Sequence, residues 1–284
     1  MKDRVEISGY IVVLFVMLVL VSPEWRPDGE AAPEFPLRAM GRLADGRTNR
    51  VVTYSDLLRQ AKLTVRSEKD LELGRAADFQ GIPLSELPRV FGAASDADVM
   101  LMRASDNYFS FFTRDYIERH SPFLAVRIDG QAPSKWPKTS YGAALGPYLV
   151  AHERFDGAEL LPGFKEPAKF PYAVVSVEFA RTADTVDRLK VSGAMTNASL
   201  RVGQALALSA CISCHHAGDF GGTLAQRPWM ILSTWAKADP SYFRRYVRDP
   251  KSVNPNSKMG GFKDWPDEAI ESVRRYFAAY TPAP

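Results

Sequence analysis

Apolar residues follow three patterns along this chain. Residues 10–21 read YIVVLFVMLVLV with no polar interruption. Between residue 36 and about 190 the apolar runs are short: Val99-Met100-Leu101-Met102, Tyr108-Phe109-Ser110-Phe111, Phe123-Leu124-Ala125-Val126, Tyr148-Leu149-Val150-Ala151 and residues 172–179. Turn signals such as Ser105-Asp106-Asn107 and Asp129-Gly130 divide them, which predicts strands. Short helices are predicted at 54–60, opened by Thr53 or Ser55, at 83–90 and at 114–119. From residue 196 the spacing changes to threes and fours. Leu200, Val202, Leu206 and Leu208 mark one helix. Ile270, Val273, Tyr276, Phe277 and Tyr280 mark another, opened by Pro266-Asp267-Glu268.

The first run directs the chain to a membrane. Its uninterrupted core is 12 residues, and 17 counted from Val5, about the shortest span a helix can make. No small-residue cleavage site follows directly, since Ser22-Pro23-Glu24-Trp25 comes next and Ala31-Ala32 lies about ten residues on. The expectation is an uncleaved anchor over residues 1–24 rather than a cleaved signal. Lys2 and Arg4 precede the run, and Glu24, Asp28, Glu30 and Glu34 follow it. That polarity keeps the start in the cytoplasm and places the bulk on the periplasmic side of a bacterial inner membrane, or free in the periplasm if the segment is cut.

With 46% hydrophobic and 24% charged residues, the remaining chain is globular. A net charge of +3 on 284 residues, without runs of like charge, gives no footprint for nucleic acid. Residues 196–284 hold 11 basic against 7 acidic side chains, and the rest of the chain 25 against 26. That mild local excess suits an anionic cofactor or an acidic partner.

The only two cysteines stand together in Cys211-Ile212-Ser213-Cys214-His215-His216. Four readings fit C-x-x-C-H in an exported chain: covalent haem attachment, a thioredoxin-like redox pair, half of a zinc site, or a structural disulfide. Zinc needs four ligands, and the other histidines, His120 and His152, lie far upstream. A thioredoxin-like pair gives no reason for the histidine. Haem attachment uses every element: two thiols at helical spacing for the vinyl groups, and an imidazole for the iron. A six-coordinate haem also needs a second axial ligand. Met259 stands in a Pro/Asn/Gly-rich stretch, residues 250–262, which is expected to be a loop rather than a helix. His216 and Met230 are the rivals of His215 and Met259; Met230, between Trp229 and Ile231, reads as core.

A helix with Gly203 eight residues before the motif, a loop methionine some forty residues after it and a closing aromatic helix resemble a class I cytochrome c domain over residues 196–284. That resemblance implies thioether bonds at Cys211 and Cys214, one covalent haem c, and axial ligation by His215 and Met259. It also implies a close helix crossing at Gly203, near Tyr276 and Phe277. Many family members have Gly-Pro after the motif, whereas this chain has Gly221-Gly222-Thr223-Leu224 and reaches a proline only at Pro228, so the group orienting His215 is open. Trp229, Trp235, Tyr242 and Trp265 are candidates to line the haem. Arg244, Arg245, Arg248 and Lys251 form a basic group that would meet the propionates or a partner.

Upstream, Gly81-Ile82-Pro83-Leu84-Ser85-Glu86-Leu87, Ala104-Ser105-Asp106-Asn107-Tyr108, Pro122-Phe123-Leu124-Ala125 and Gly146-Pro147-Tyr148-Leu149-Val150 resemble the sulfite-oxidase-like molybdopterin-binding fold. Catalytic members bind molybdenum through a cysteine, and none exists outside the haem motif. Molybdopterin is therefore not expected. Arg103 and His152 read as surface residues or as remnants of a pterin site. The expected architecture is multidomain: an N-terminal membrane segment, an α+β sulfite-oxidase-like domain over 36–190 and an all-α cytochrome c domain over 196–284. The expected function is single-electron transfer between redox-protein donor and acceptor, as a subunit or partner of a larger membrane-bound oxidoreductase rather than as an enzyme. The alternative is a molybdopterin-dependent oxidoreductase with a fused haem acceptor.

Overall fold

The computed structural model describes residues 35–70, 73–139 and 142–282. The chain enters through β1 (Leu37–Gly41), β2 (Asn49–Val52), α1 (Tyr54–Gln60), β3 (Leu63–Ser67), β4 (Ala77–Pro83) and α2 (Leu87–Phe91). It continues through β5 (Val99–Ala104), β6 (Phe109–Thr113), α3 (Arg114–His120), β7 (Pro122–Ile128), β8 (Leu149–His152), β9 (Glu159–Leu161), β10 (Phe164–Lys165) and β11 (Val174–Ala180). The last part holds α4 (Ala198–Ser209), β12 (His216–Ala217), β13 (Phe220–Gly221), α5 (Trp229–Ala238), α6 (Pro240–Arg248), the single turn α7 (Pro250–Val253) and α8 (Asp267–Ala279).

Two sheets and two short ribbons result. The larger sheet has the order β2-β1-β11-β5-β6, with β1 parallel to β11 and the other pairs antiparallel; the smaller has the order β3-β4-β7-β8. Side chains alternate across a strand, so the run Val99-Met100-Leu101-Met102 faces two ways. Met100 and Met102 join Phe112, Leu37 and Phe179 in one core, while Val99 and Leu101 join Phe109 and Phe111 in a second core with the helices of residues 198–280. A strand covered on both faces needs a continuous apolar run, which is what its sequence shows. The smaller sheet closes on Phe79, Phe123 and Leu149.

Helix starts follow their caps. The Thr53 side chain accepts from the Asp56 amide and Asp56 answers to the Thr53 amide, a reciprocal pair that opens α1. Thr113 opens α3 and Asn197 opens α4 with a side-chain acceptor for the third amide.

The expected fold class needs correction. All described residues fall in one unit, and the segment expected to be all-α carries the β12–β13 ribbon and shares its core with β5 and β6. Phe220 of β13 sits edge-on to Phe109 at 5.0 Å and 5.7 Å from Phe111. No independent all-α domain beside a separate α+β domain is seen. The membrane segment expected at 1–24 lies outside the described residues, among which no helix is long and apolar enough to cross a membrane. The anchor, and the placement at the periplasmic face of an inner membrane that rested on it, are withdrawn. The stretch 250–262 is also not all loop, since Pro250, whose ring suits a first helical position, starts the turn α7.

Lys169 meets the edge strand β6 of the larger sheet. It is buried, its Nζ donates to the Phe111 carbonyl at 2.8 Å, and it lies 3.7 Å over the Phe111 ring. Burial pushes this ammonium down from 10.5 to about 7, with Glu166 pulling the other way. Between those values the unfolded chain holds the proton and the folded chain does not, so this group makes stability rise with pH across the window. Lys169→Met is expected to flatten the rise in urea midpoint between about pH 7 and 10. A rise identical to that of the wild type would show that another group causes it.

Candidate functional site

The C-x-x-C-H motif begins where α4 ends. Ala210 breaks the helix, and a single 3₁₀ turn, Cys211–Ser213, carries the first thiol. The amides of Cys214 and His215 both donate to the Cys211 carbonyl, at 3.2 and 2.9 Å, which winds the motif into one tight turn. Cys211 is buried, Cys214 half-buried, and both are free thiols. Burial pushes the Cys211 thiol up to about 12, assisted by Cys214; burial also raises Cys214, with Asp106 adding to it. A thioredoxin-like pair needs the opposite, a thiol lowered toward the thiolate. The redox-dithiol reading loses its support.

His215 is buried, and its Nδ1 lies 2.7 Å from the Arg227 carbonyl. A carbonyl only accepts, so Nδ1 carries the hydrogen and Nε2 presents a lone pair. Burial lowers the His215 pKa, against the opposing pull of that hydrogen bond, which keeps the ring neutral at physiological pH. A neutral imidazole with its rear nitrogen fixed by a carbonyl is the state in which histidine ligates a metal. The orienting group left open by the sequence is thus the Arg227 carbonyl, and Pro228 follows it: the residue before a proline is biased away from helical backbone, which leaves its carbonyl free of a helical partner.

Two glycines let the following chain lie against the motif. A Cβ on Gly221, which sits at φ +114°, would come 2.4 Å from the His215 carbonyl; one on Gly222 would come 1.9 Å from the Ser213 carbonyl. The Gly222 amide then donates to Ile212 at 2.8 Å and the Ala225 amide to Cys214 at 2.9 Å. Arg103, on β5, holds this segment from the sheet side, donating to Gly221 at 2.8 Å and Asp219 at 3.2 Å. It is a clamp on the motif rather than a surface or pterin-site residue. His152 is likewise engaged elsewhere, 3.0 Å from the Tyr116 hydroxyl, with burial, then His120 and Lys169, holding its pKa at about 3.

Met259 lies half-buried in the loop before α8, its amide donating to Ser257 Oγ at 3.3 Å. Ser257 Oγ meets the Tyr246 hydroxyl at 3.0 Å, and Arg227 Nη1 donates to the same hydroxyl at 3.1 Å. The guanidinium lies 4.3 Å over Trp235 and 5.3 Å over Tyr246. Burial would raise the Tyr246 phenol, but the bonds to Ser257 and Arg227 outweigh it and hold the group below its usual range. His215 and the Met259 loop are therefore joined through Arg227, Tyr246 and Ser257. None of these three was singled out from the sequence; the Arg227-Pro228 dipeptide was the available signal.

The other sequence candidates divide. Trp229 is fully buried, donating to the Tyr276 hydroxyl at 3.2 Å, and is core. Trp265 packs on Phe262 at 4.1 Å and Phe164 at 5.8 Å. Tyr242 packs edge-on against Trp235 at 5.4 Å, and of the four aromatic candidates only Trp235 touches Arg227 directly. Met230 is not core: Leu224, Met230 and Ile231, in the segment that follows the motif, are 46%, 44% and 39% exposed. His216 turns away, its Nδ1 3.0 Å from the Gly218 carbonyl. Arg244 and Arg248 are tied to Glu271 and Asp267. Two thiols, a neutral oriented imidazole and a methionine on a loop linked to that imidazole form a donor set that fits a covalently attached haem.

No family model matches this chain, and no curated protein matches it. Among solved structures it is similar to the sulfane dehydrogenase SoxCD from Paracoccus pantotrophus, at 16% identity and a TM-score of 0.33. The match covers 51% of this chain and 38% of that one, so the chain spans well under half of the structure it matches. A likeness of that score carries no argument about the site.

Proposed function

We propose that this chain is a redox protein that carries one haem bound covalently through Cys211 and Cys214, with His215 and Met259 as axial ligands, and exchanges single electrons with protein donors and acceptors. The observation that carries this reading is His215, neutral, buried and fixed at Nδ1 by the Arg227 carbonyl directly after a pair of protonated thiols. The haem would supply the one-electron couple of its iron. The chain's own work is to hold the thiols in one turn, to present Nε2 and to keep the Met259 loop linked to the histidine side.

The test is intact mass together with metal analysis on full-length protein matured in cells that attach haem. One haem mass, lost in Cys211→Ala/Cys214→Ala, and one iron without molybdenum per chain are expected. An unmodified mass in such cells would refute the reading. Molybdenum at one per chain would instead favour the molybdopterin-dependent oxidoreductase with a fused haem acceptor, with its metal held without a protein thiolate.

A further inference from the structure

At this site one group must orient His215 and another must fix the loop that bears Met259. In the structure both belong to one residue. The Arg227 main chain accepts from His215 Nδ1, and the Arg227 side chain, 3.1 Å from the Tyr246 hydroxyl, reaches the Met259 loop through Ser257 Oγ. We propose that Arg227 is the positioning residue that couples the two axial ligands, holding His215 through its carbonyl and Met259 through its guanidinium, Tyr246 and Ser257. This inference rests on the haem reading given above.

The geometry gives the coupling direction and stiffness. A guanidinium is planar, and here its carbon lies 4.3 Å from the centre of the Trp235 ring of α5 while Nη1 donates to Tyr246 of α6. Tyr246 is itself stacked on Tyr242, with 5.7 Å between centroids, so its hydroxyl has little room to turn. From that hydroxyl the connection to Met259 uses one serine, and Ser257 is buried, which shields both of its bonds from water. Pro228 fixes the main-chain end of Arg227 and Trp235 its side-chain end. A displacement of either ligand therefore strains the other through a path of four side chains and one carbonyl.

The main-chain half of this bridge survives any substitution at Arg227, so Arg227→Met should leave His215 in place and release only Met259. The experiment uses the full-length haem-loaded protein and its Arg227→Met, Arg227→Lys, Tyr246→Phe and Arg227→Met/Tyr246→Phe variants, with covalent haem confirmed in each by mass. Two readouts follow: the thioether-to-iron charge-transfer band, and the affinity of the ferric protein for added imidazole, which competes for the position of Met259. Arg227→Met and Tyr246→Phe should each weaken the band and tighten imidazole binding about tenfold, the scale of one charge-assisted hydrogen bond. Arg227→Lys should recover part of the loss, because an ammonium can donate to the hydroxyl but lacks the planar group that lies over Trp235. The double variant should be no worse than Tyr246→Phe alone, since both act on one path.

Wild-type band and imidazole affinity in both single variants would overturn the inference, and so would additive losses in the double variant. If Arg227→Met does not fold, Tyr246→Phe, which keeps the stacked ring, decides the matter by the same two readouts. A wild type that carries haem but shows no thioether band overturns the coupling through Met259 while leaving haem attachment standing. A wild type without haem overturns both.

Discussion

Gly203→Ala is expected to cost about 3 kcal/mol or more of stability, although alanine is the better helix former. A Cβ at this position would stand 1.9 Å from the Ser272 carbonyl oxygen and 2.9 Å from the Tyr276 Cβ. The obstacle is the backbone of α8, which cannot swing aside as a long side chain could. Relief requires α4 and α8 to separate, and these helices share the buried surface of Val202, Leu206, Ile270, Val273 and Tyr276. Separation would also break the 3.0 Å contact between Ser199 and Ser272 hydroxyls and disturb Tyr276, which donates to the Leu189 carbonyl at 2.8 Å. For a chain of this size the loss corresponds to a fall in Tm of roughly 6–12 °C. Gly260→Ala is the matched control, because nothing lies within 4 Å of a Cβ there, and it should change Tm little. Equal Tm values for the two variants would mean that the helices do not cross at Gly203.

The consequence reaches the site because α4 runs directly into the motif. Its last turn delivers Cys211, and the 3₁₀ turn that follows is held from the other side by Gly221, Gly222 and Arg103. The motif is thus gripped between a helix pair and a sheet. That arrangement explains why Phe109 and Phe111 are buried against the helices rather than facing solvent: Phe220, in the ribbon after His215, inserts against both. The sheet serves as the wall on which the site is assembled.

Much of this was legible in the sequence where the signal is local. The runs at Val99, Phe109, Phe123, Leu149 and Val174 are strands because they are short, apolar on both faces and bounded by turns. α1 and α8 begin at the cap and the proline that predicted them, whereas α3 and α4 lie where helices were expected but open on Thr113 and Asn197, which were not singled out as caps. Strands β1 to β3 were not visible, since LRAMG, NRVV and LTVRS mix polar and apolar residues without a clear period, and β1 joins the rest of its sheet by pairing with β11 about 140 residues away. The motif itself was explicit, but its supports were not. Arg103 reaches Gly221, just past the motif, from 118 residues upstream, and Arg227 orients His215 through its main chain, for which the following proline was the sole local signal. The expected fold class failed for a related reason: a change of periodicity at residue 196 marks a change of secondary structure, and says nothing about whether the two parts share a core.

With haem bound as proposed, Met259→Ala should abolish the thioether-to-iron band, lower the reduction potential and leave the fold intact. The loop does not depend on this side chain. The Phe262 amide donates to Val247 at 3.1 Å, the Ser257 amide to Asn254 at 2.9 Å, and Gly261 lies so close to the Arg248 carbonyl that a Cβ would be 2.6 Å from it. These anchors are main-chain contacts of the 254–262 segment, and Met259 contributes only its amide, to Ser257, which alanine retains. The side chain is half-buried, so its loss leaves little cavity and Tm should change by no more than a few degrees. The potential should fall because a thioether favours the ferrous state, and axial-ligand identity is a main lever within the roughly 0.8 V range such proteins span. His215→Ala, by contrast, should reduce haem retention and stability together, because it removes the Nδ1 bond that ties the motif to Arg227. An unchanged band and potential in Met259→Ala would remove this residue from the site, and Met230, which is exposed, would then be the methionine to replace next.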